Sequence, residues 1–230
     1  RQMFQRAIDI DPGFGKAWAG LAYTYGFEYM YFNATDQNRD EAIRSSTRAL
    51  ELAPNLPESH VSSGIAHCMN SDYGQADREF QRALQLDRGN FQAWYFYGRS
   101  KVHEGDIRRA IELFEGAATV RPEDYQSKLL QAQLYVSIGE PDRARAVTRE
   151  GLERARRSLE LKPDDVRAWL RAVGGALGQL HRGGVVHGGV SPARIVRLRD
   201  GTVRLGLPDS ARWPLAAWMP EVIDFDDPSL

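Results

Sequence analysis

Four alanines recur along the chain at one constant interval: Ala42, Ala76, Ala110 and Ala144. Small residues keep the same interval at a second phase, at Gly64, Gly98 and Ala132. A period of about 34 residues with small side chains at two phases predicts a stack of two-helix units, because each unit buries its apolar face only against its neighbours. Most of the chain is therefore expected to form a helical solenoid whose activity is binding.

Each unit is predicted to contain two antiparallel helices, A and B. Helix A pairs a large residue near its start with a small one four residues later, at Trp18 and Ala22, His60 and Gly64, Trp94 and Gly98, and more weakly Lys128 and Ala132. Helix B has small residues seven apart, at Ala42 and Ala49, Ala76 and Ala83, Ala110 and Ala117, and Ala144 and Gly151. Two helical turns place each such pair on one face, where the helix axes can approach closely. Phe80 and Phe114 share that face and are predicted to fill the gap between the helices.

Residues that end and start helices occur between these segments. Gly105-Asp106 and Gly139-Glu140-Pro141-Asp142 predict turns from helix A to helix B. Turns from helix B to helix A are predicted at Pro12, Pro54, Pro122 and Pro163. Arg88 occupies the position of a missing proline, and Gly89-Asn90 provides the turn there.

The segment from Phe91-Gln92-Ala93-Trp94 to Arg121-Pro122 contains Trp, Gly, Ala, Phe, Ala and Pro in the order and phase of a known motif. In this it resembles the tetratricopeptide repeat (TPR) family, and the resemblance covers about residues 1 to 163. It implies an all-α, TPR-type α-solenoid of about four antiparallel helix pairs. Residues 1–12 are then the end of a helix B. The implied function is a non-catalytic scaffold that binds a protein or peptide in a concave groove lined by the A helices.

Two units are longer than this period. Pro12 and Pro54 are 42 residues apart, and the excess lies between Gly26 and Asp40, a region that contains the aromatic stretch 26–32. Two interpretations stay open: a lengthened helix A whose aromatic side chains cover the first repeat, or a loop that contacts a partner. Pro122 and Pro163 are also more than one period apart, by seven residues, which predicts an extended helix B because seven residues are nearly two turns. Such irregular units resemble TPR regions of bacterial serine/threonine kinases and nucleotide cyclases. An alternative function is therefore a docking arm of such an enzyme.

The resemblance places one set of side chains in the groove: Lys16, Tyr23, Gln92, Tyr95, Phe96, Arg99, Leu130 and Gln133. A terminal carboxylate needs several cations in successive units, and only Lys16 and Arg99, far apart in the stack, are available. Tyr95, Phe96 and Leu130 instead favour an apolar or amphipathic segment such as a helix. In the alternative, one or both aromatic residues pack between the helices.

The chain is predicted to divide into a solenoid with a capping helix, residues 1–182, and an extension, residues 183–230. Apolar residues from Val166 to Leu180 lie on one helical face that could cap the stack. The segments 194–198 and 202–205 alternate as strands around Asp200-Gly201, which predicts a β-hairpin.

The segment 180–195 resembles the catalytic loop of protein kinases, 200–205 the strand before their metal-binding motif, and Trp218 to Val222 a later motif. The residues that perform the chemistry are replaced. The base, lysine, metal-binding Asn and metal-binding Asp of the kinase pattern correspond to Gly189, Ser191, Arg194 and Leu207. The resemblance therefore implies a non-catalytic remnant and no enzymatic activity. A hairpin extension with an accidental likeness is the alternative.

Composition limits the remaining classes. A formal net charge of -1 argues against nucleic acid and anionic membranes as partners. The single cysteine, Cys68, fits a reducing compartment, so a cytoplasmic location is expected. The chain shows no signal peptide and opens within a helical pattern at Arg1-Gln2-Met3, so we expect a fragment of a longer protein. The histidines form no metal-binding spacing with Cys68, and no metal or cofactor is expected. The arginine-rich stretch 143–157 contains i, i+4 pairs with glutamates, typical of a solvated helix. Self-association through this stretch or through the aromatic one stays open.

Overall fold

The computed structural model describes residues 1–161 and two short strands, at 195–197 and 203–205, with side chains described in the first range as far as residue 157. Nine helices occupy the first range: α1 (Gln2–Ile10), α2 (Gly15–Tyr31), α3 (Asp36–Leu52), α4 (Pro57–Met69), α5 (Tyr73–Leu86), α6 (Phe91–Glu104), α7 (Ile107–Val120), α8 (Gln126–Ser137) and α9 (Pro141–Leu161). Successive helices pack in pairs, α2 on α3, α4 on α5, α6 on α7 and α8 on α9. The predicted all-α solenoid of helix pairs is confirmed, and α1 packs on α2 before the first pair.

The periodic alanine series forms the interior of the stack. Ala76, Ala110 and Ala144 are fully buried, and Ala42 is 1% exposed. The partners seven residues later, Ala49, Ala83 and Ala117, are also fully buried. Small side chains at these positions let α3, α5 and α7 approach their A helices closely.

Glycine in helix A makes room for phenylalanine in helix B. A Cβ atom added to Gly64 would lie 2.7 Å from Cε1 of Phe80, and one added to Gly98 would lie 3.1 Å from Cε1 of Phe114. Both phenylalanine rings are fully buried. The two contacts are one repeat apart, so the prediction that Phe80 and Phe114 fill the gap between helices is confirmed.

A ring nitrogen at the start of helix A closes the preceding turn in three units. The contacts all reach a carbonyl six residues earlier: Trp18 Nε1 to Pro12 at 3.0 Å, His60 Nε2 to Pro54 at 2.8 Å and Trp94 Nε1 to Arg88 at 2.9 Å. These bonds satisfy carbonyl groups in the turn that follows helix B. They also explain why a large ring precedes the small residue in helix A.

Lys128 stands at the same position in the fourth unit and acts differently. It is 3% exposed, and its Nζ atom lies 2.6 Å from Glu115 and 3.1 Å from Glu150. Gln131 donates a further hydrogen bond of 3.0 Å to Glu115. An ionic network therefore joins α7, α8 and α9 where the other units use a ring.

The turns from helix A to helix B in the second, third and fourth units share one backbone conformation. Ser71, Gly105 and Gly139 follow one another at the repeat interval and have positive φ angles of 58°, 88° and 75°. Glycine adopts this left-handed conformation without the steric cost that a side chain brings. The turns predicted at Gly105 and Gly139 are confirmed, whereas Ser71 takes the same role without being glycine.

Both irregular units are lengthened in their helices. In the first unit α2 and α3 have 17 residues each, and four residues, 32–35, connect them. The hypothesis of a loop over the aromatic stretch 26–32 is wrong, because residues up to Tyr31 are helical. In the last unit α9 has 21 residues, which confirms the predicted extended helix B.

The predicted β-hairpin is present as two strands, β1 (Ile195–Arg197) and β2 (Val203–Leu205). They pair in antiparallel orientation, with Val196 opposite Arg204. The capping helix predicted over 166–180 and the remainder of the kinase-like segment lie outside the described residues. The predicted boundary at residue 183 lies there too.

Candidate functional site

A cavity of about 630 Å³ opens between the A helices of the first, third and fourth units. We call it the aromatic cavity. Its walls come from α2, α6, α8 and the turn before α8: Tyr23, Phe27, Tyr31, Phe32, Phe91, Gln92, Tyr95, Phe96, Arg121, Tyr125, Gln126, Leu129, Leu130 and Gln133. Six of the predicted groove residues belong to this lining: Tyr23, Gln92, Tyr95, Phe96, Leu130 and Gln133.

The length of α2 creates one wall of this cavity. The edge of the Tyr23 ring meets Phe96 of α6, with 5.6 Å between the ring centroids and an angle of 84° between the planes. One helical turn further along, Phe27 packs against Tyr31 at 4.6 Å. The aromatic stretch of the first unit therefore lines the cavity towards the third unit, and does not only cover the first repeat.

Helix α4 lies between α2 and α6 in sequence but contributes no residue to the lining. Its groove-facing positions Val61 and Ile65 are buried in a core cluster with Phe96, and Tyr23 and Met30 pack against that cluster. Aromatic side chains from the neighbouring helices thus cover the short side chains of α4. This arrangement explains how a residue of the first unit can contact one of the third.

Arg99 and Tyr31 meet at the edge of the aromatic cavity. The Arg99 Nη1 atom donates a hydrogen bond of 2.9 Å to the Tyr31 hydroxyl, and its guanidinium carbon lies 5.2 Å from the Tyr31 ring centroid. Arg99 does not itself line the cavity. It holds in place a residue that does.

Tyr95 and Phe96 have structural and lining roles at once. Phe96 is 4% exposed, and Tyr95 packs edge-on against the buried Phe114 at 5.8 Å. The alternative that these aromatic residues pack between helices is therefore confirmed for both, although both also line the cavity. Burial raises the pKa values of the Tyr23 and Tyr95 hydroxyls, so both are neutral phenols at physiological pH.

Arg121 is a lining residue that the sequence did not indicate. It begins the turn between α7 and α8, and its guanidinium carbon lies 3.7 Å from the centroid of the Phe91 ring, a cation–π contact. The nearest carboxylate, on Glu123, is 3.9 Å from Arg121 Nε, with both side chains largely exposed. Arg121 is the single charged residue in the lining, which includes no Asp or Glu.

Three glutamine amides add polar groups to the lining. Gln92 and Gln126 are one repeat apart and so occupy the same position in successive A helices. Gln133 lies two turns further along α8 than Gln126. Each amide offers two donors and an acceptor to a bound segment.

Lys16, by contrast, does not line the aromatic cavity. Its Nζ atom lies 3.3 Å from Glu58 of α4, and both side chains are exposed to solvent. The structure therefore separates Lys16 from the other predicted groove residues. The Lys16 ammonium group, which the groove prediction had included, instead forms a salt bridge between the neighbouring helices α2 and α4.

The arginine-rich helix α9 forms the pairs expected from its spacing. Arg154 donates to Glu150 at 2.7 Å, and Arg157 to Glu153 at 3.4 Å. Arg154 also donates a hydrogen bond of 2.8 Å to the carbonyl of Ala118, so it connects α9 to the end of α7 and is not simply solvated.

Among residues 1–161 no helix combines the length and apolar character needed to cross a membrane.

Comparison with known families bears on the fold just described. Residues 101–170 match the tetratricopeptide repeat model. This match supports the resemblance drawn from the sequence, and the described solenoid has the TPR architecture.

Curated relatives extend the TPR likeness towards the start of the chain. The chain is 26% identical over 158 residues to Superkiller protein 3 of Schizosaccharomyces pombe, covering 69% of this chain and 11% of that protein. It is 28% identical over 99 residues to human serine/threonine-protein phosphatase 5, covering 43% of this chain and 19% of that protein. The chain thus spans less than a fifth of either relative, and the docking arm of a kinase or cyclase finds no support here.

Among solved structures, a thermophilic TPR protein of Thermus thermophilus superposes on the chain with a TM-score of 0.57. The two are 18% identical, and the superposition covers 76% of this chain and 88% of the other. At this identity the similarity establishes the TPR fold.

Proposed function

We propose that the protein is a non-catalytic interaction scaffold that binds a peptide or helical segment of a partner protein in the aromatic cavity. The observation that supports this most is the composition of the lining. Aromatic and leucine side chains from three A helices face one space, with a few amides and one cation among them. Apolar walls with a small number of oriented polar groups are typical of sites that bury the side chains of a ligand.

The size of the cavity favours side chains as the bound element. A volume of about 630 Å³ holds a few large side chains and not a whole helix. A partner helix would therefore lie across the A helices and insert one face, as in other helix-in-groove complexes. The amides of Gln92, Gln126 and Gln133 are placed to bond polar atoms along the rim.

A second copy of the chain is the alternative occupant, because the aromatic stretch of α2 offers exposed rings. Phe32 is 79% exposed and belongs to the lining. Light scattering over a concentration series distinguishes the two occupants. A constant monomer mass excludes self-association over the range tested, and a rising mass that Phe27→Ala abolishes supports it.

The test of the proposal begins with a library of random short peptides displayed on phage and selected on the whole protein. Enriched peptides are then measured by isothermal titration with Phe27→Ala and with Phe14→Ala. Phe27 lines the cavity and is 37% exposed, whereas Phe14 is 46% exposed and lies outside it. We expect Phe27→Ala to weaken binding at least tenfold and Phe14→Ala to leave it unchanged. Equal affinities for both variants would contradict the proposal.

A further inference from the structure

The charged residue of the aromatic cavity indicates which chemical class of segment the cavity binds. Arg121 is the charged member of the lining, and neither Asp nor Glu is present among the lining residues. Arg99 adds a second guanidinium at the edge, through its bond to Tyr31. The cavity is therefore locally positive although the formal net charge of the chain is -1.

The contact with Phe91 fixes the orientation of Arg121. With its guanidinium carbon 3.7 Å from the ring centroid, Arg121 lies against the face of the ring. An arginine held in this way loses less side-chain entropy when it binds, because part of its freedom is already restricted. Its partner Glu123 is a poor competitor, since the 3.9 Å contact involves two exposed side chains.

From these observations we infer that the bound segment has an Asp or Glu beside a large apolar residue, and that Arg121 binds this carboxylate. The apolar side chain enters between Tyr95, Leu130 and Phe27, and the carboxylate accepts hydrogen bonds from the guanidinium above Phe91. Arg121 is thus a specificity-determining residue of the site. This inference rests on the proposed function and names the chemistry of the partner.

Basic segments are disfavoured by the same geometry. A lysine or arginine of a partner would face Arg121 without a lining carboxylate to pair with it, and the burial of an unpaired charge is costly. A wholly apolar segment would bind without using Arg121. Acidic, basic and wholly apolar segments should therefore respond differently to the substitution Arg121→Gln.

The experiment uses the peptides that the phage library yields on the whole protein. We expect enrichment of Asp or Glu within a few positions of an aromatic or aliphatic residue. Titration of one such peptide with Arg121→Gln should show about a tenfold loss of affinity, the scale of one charge-assisted hydrogen bond. Arg121→Lys should recover part of the loss, because it restores the charge without the planar contact. Arg48→Gln is the matched control, since the exposed fractions of the Arg48 and Arg121 side chains are 46% and 42%.

A second peptide, in which the acidic residue is changed to its amide, completes a double-mutant cycle with Arg121→Gln. The amide peptide should bind the wild-type protein about tenfold more weakly, and Arg121→Gln should cause no further loss with it. Higher salt should weaken the acidic peptide more for the wild-type protein than for Arg121→Gln. Peptides that require Phe27 but show no acidic preference would overturn this inference alone. Peptides insensitive to Phe27→Ala would overturn the proposed function itself.

Discussion

Arg99 donates a hydrogen bond of 2.9 Å to the Tyr31 hydroxyl, and the two residues are 68 positions apart in the chain. The bond joins the A helix of the first unit to that of the third. It forms because the first unit has a helix A of 17 residues, long enough to place Tyr31 beside α6. The irregularity in the repeat therefore shapes the cavity that the regular units surround.

Removal of the Tyr31 hydroxyl should have a small effect on stability. We expect Tyr31→Phe to lower the free energy of unfolding by about 0.5 kcal/mol, because the bond to Arg99 is partly exposed to solvent. Urea denaturation measures the change. Tyr29→Phe is the control, since the Tyr29 hydroxyl makes no hydrogen bond within the described part of the chain. A larger loss for Tyr29→Phe would contradict the role given to Tyr31.

The two glycines that face phenylalanine rings should tolerate alanine unequally. An added Cβ atom lies 2.7 Å from Phe80 at Gly64 but 3.1 Å from Phe114 at Gly98. Overpacking typically costs about 1–3 kcal/mol, and the higher helix propensity of alanine returns about 1 kcal/mol. Gly64→Ala should therefore destabilise the protein by about 1–2 kcal/mol, and Gly98→Ala by close to zero. Thermal and urea unfolding of both variants test the difference, and a reversed order would contradict it.

Replacement of Ser71 by glycine, the residue at the equivalent positions 105 and 139, should stabilise the protein. Its φ angle of 58° is sterically costly for a residue with a side chain. Because glycine also loses more entropy on folding, we expect Ser71→Gly to stabilise the protein by only about 0.5 kcal/mol. Gly105→Ser, the reverse change at the equivalent turn, should destabilise it. Urea unfolding measures the free energy of unfolding of both variants. If both were stabilised, or both destabilised, the role given to the left-handed conformation in these turns would be wrong.

His60 should make stability depend on pH. Its Nδ1 atom lies 2.7 Å from Glu79 and its Nε2 atom 2.8 Å from the Pro54 carbonyl. The hydrogen bond with Glu79 raises the pKa of His60 above its ordinary 6.5, with burial opposing. The stabilisation is therefore fully present below about pH 6.5 and is lost as the pH rises through the folded-state pKa.

Glu79→Gln isolates this effect. We expect the stability difference between the wild-type protein and Glu79→Gln, followed by denaturant unfolding from pH 5.5 to 9, to shrink as the pH rises. The amide has no negative charge to favour the imidazolium form. A difference that stays constant or grows with pH would contradict the raised pKa of His60 and its cause in the contact with Glu79.

The sequence alone predicts the period, the helix pairs and most turns. Ala110 and Phe114 recur at the repeat interval, and both are buried by contacts between the two helices of their own unit. Such positions can be predicted from the sequence. The left-handed turn at Ser71 was missed because serine gives no sign of it; its repeat interval from Gly105 and Gly139 was the available signal.

The site was predicted less completely. Tyr95 and Leu130 follow from the repeat position, since helix periodicity sets which face they occupy. Arg121 lies in a turn, where the repeat does not indicate direction, and its place depends on the ring of Phe91. Lys16 was included by position, but the long-range pairing with Glu58 removes it from the cavity. The contact between the first and third units, Arg99 with Tyr31, depends on the length of α2, which the repeat does not set.

The most direct test of the binding surface is site-specific photo-crosslinking with a peptide enriched on the whole protein. Benzoylphenylalanine replaces Gln126, an exposed residue of the lining, or Gln85, an exposed residue of α5 outside it. Each labelled protein is irradiated with the peptide, and the covalent product is quantified by mass spectrometry. The account predicts a strong cross-link from position 126 and little from position 85. Equal yields, or a stronger cross-link from position 85, would contradict the assignment of the aromatic cavity as the binding site.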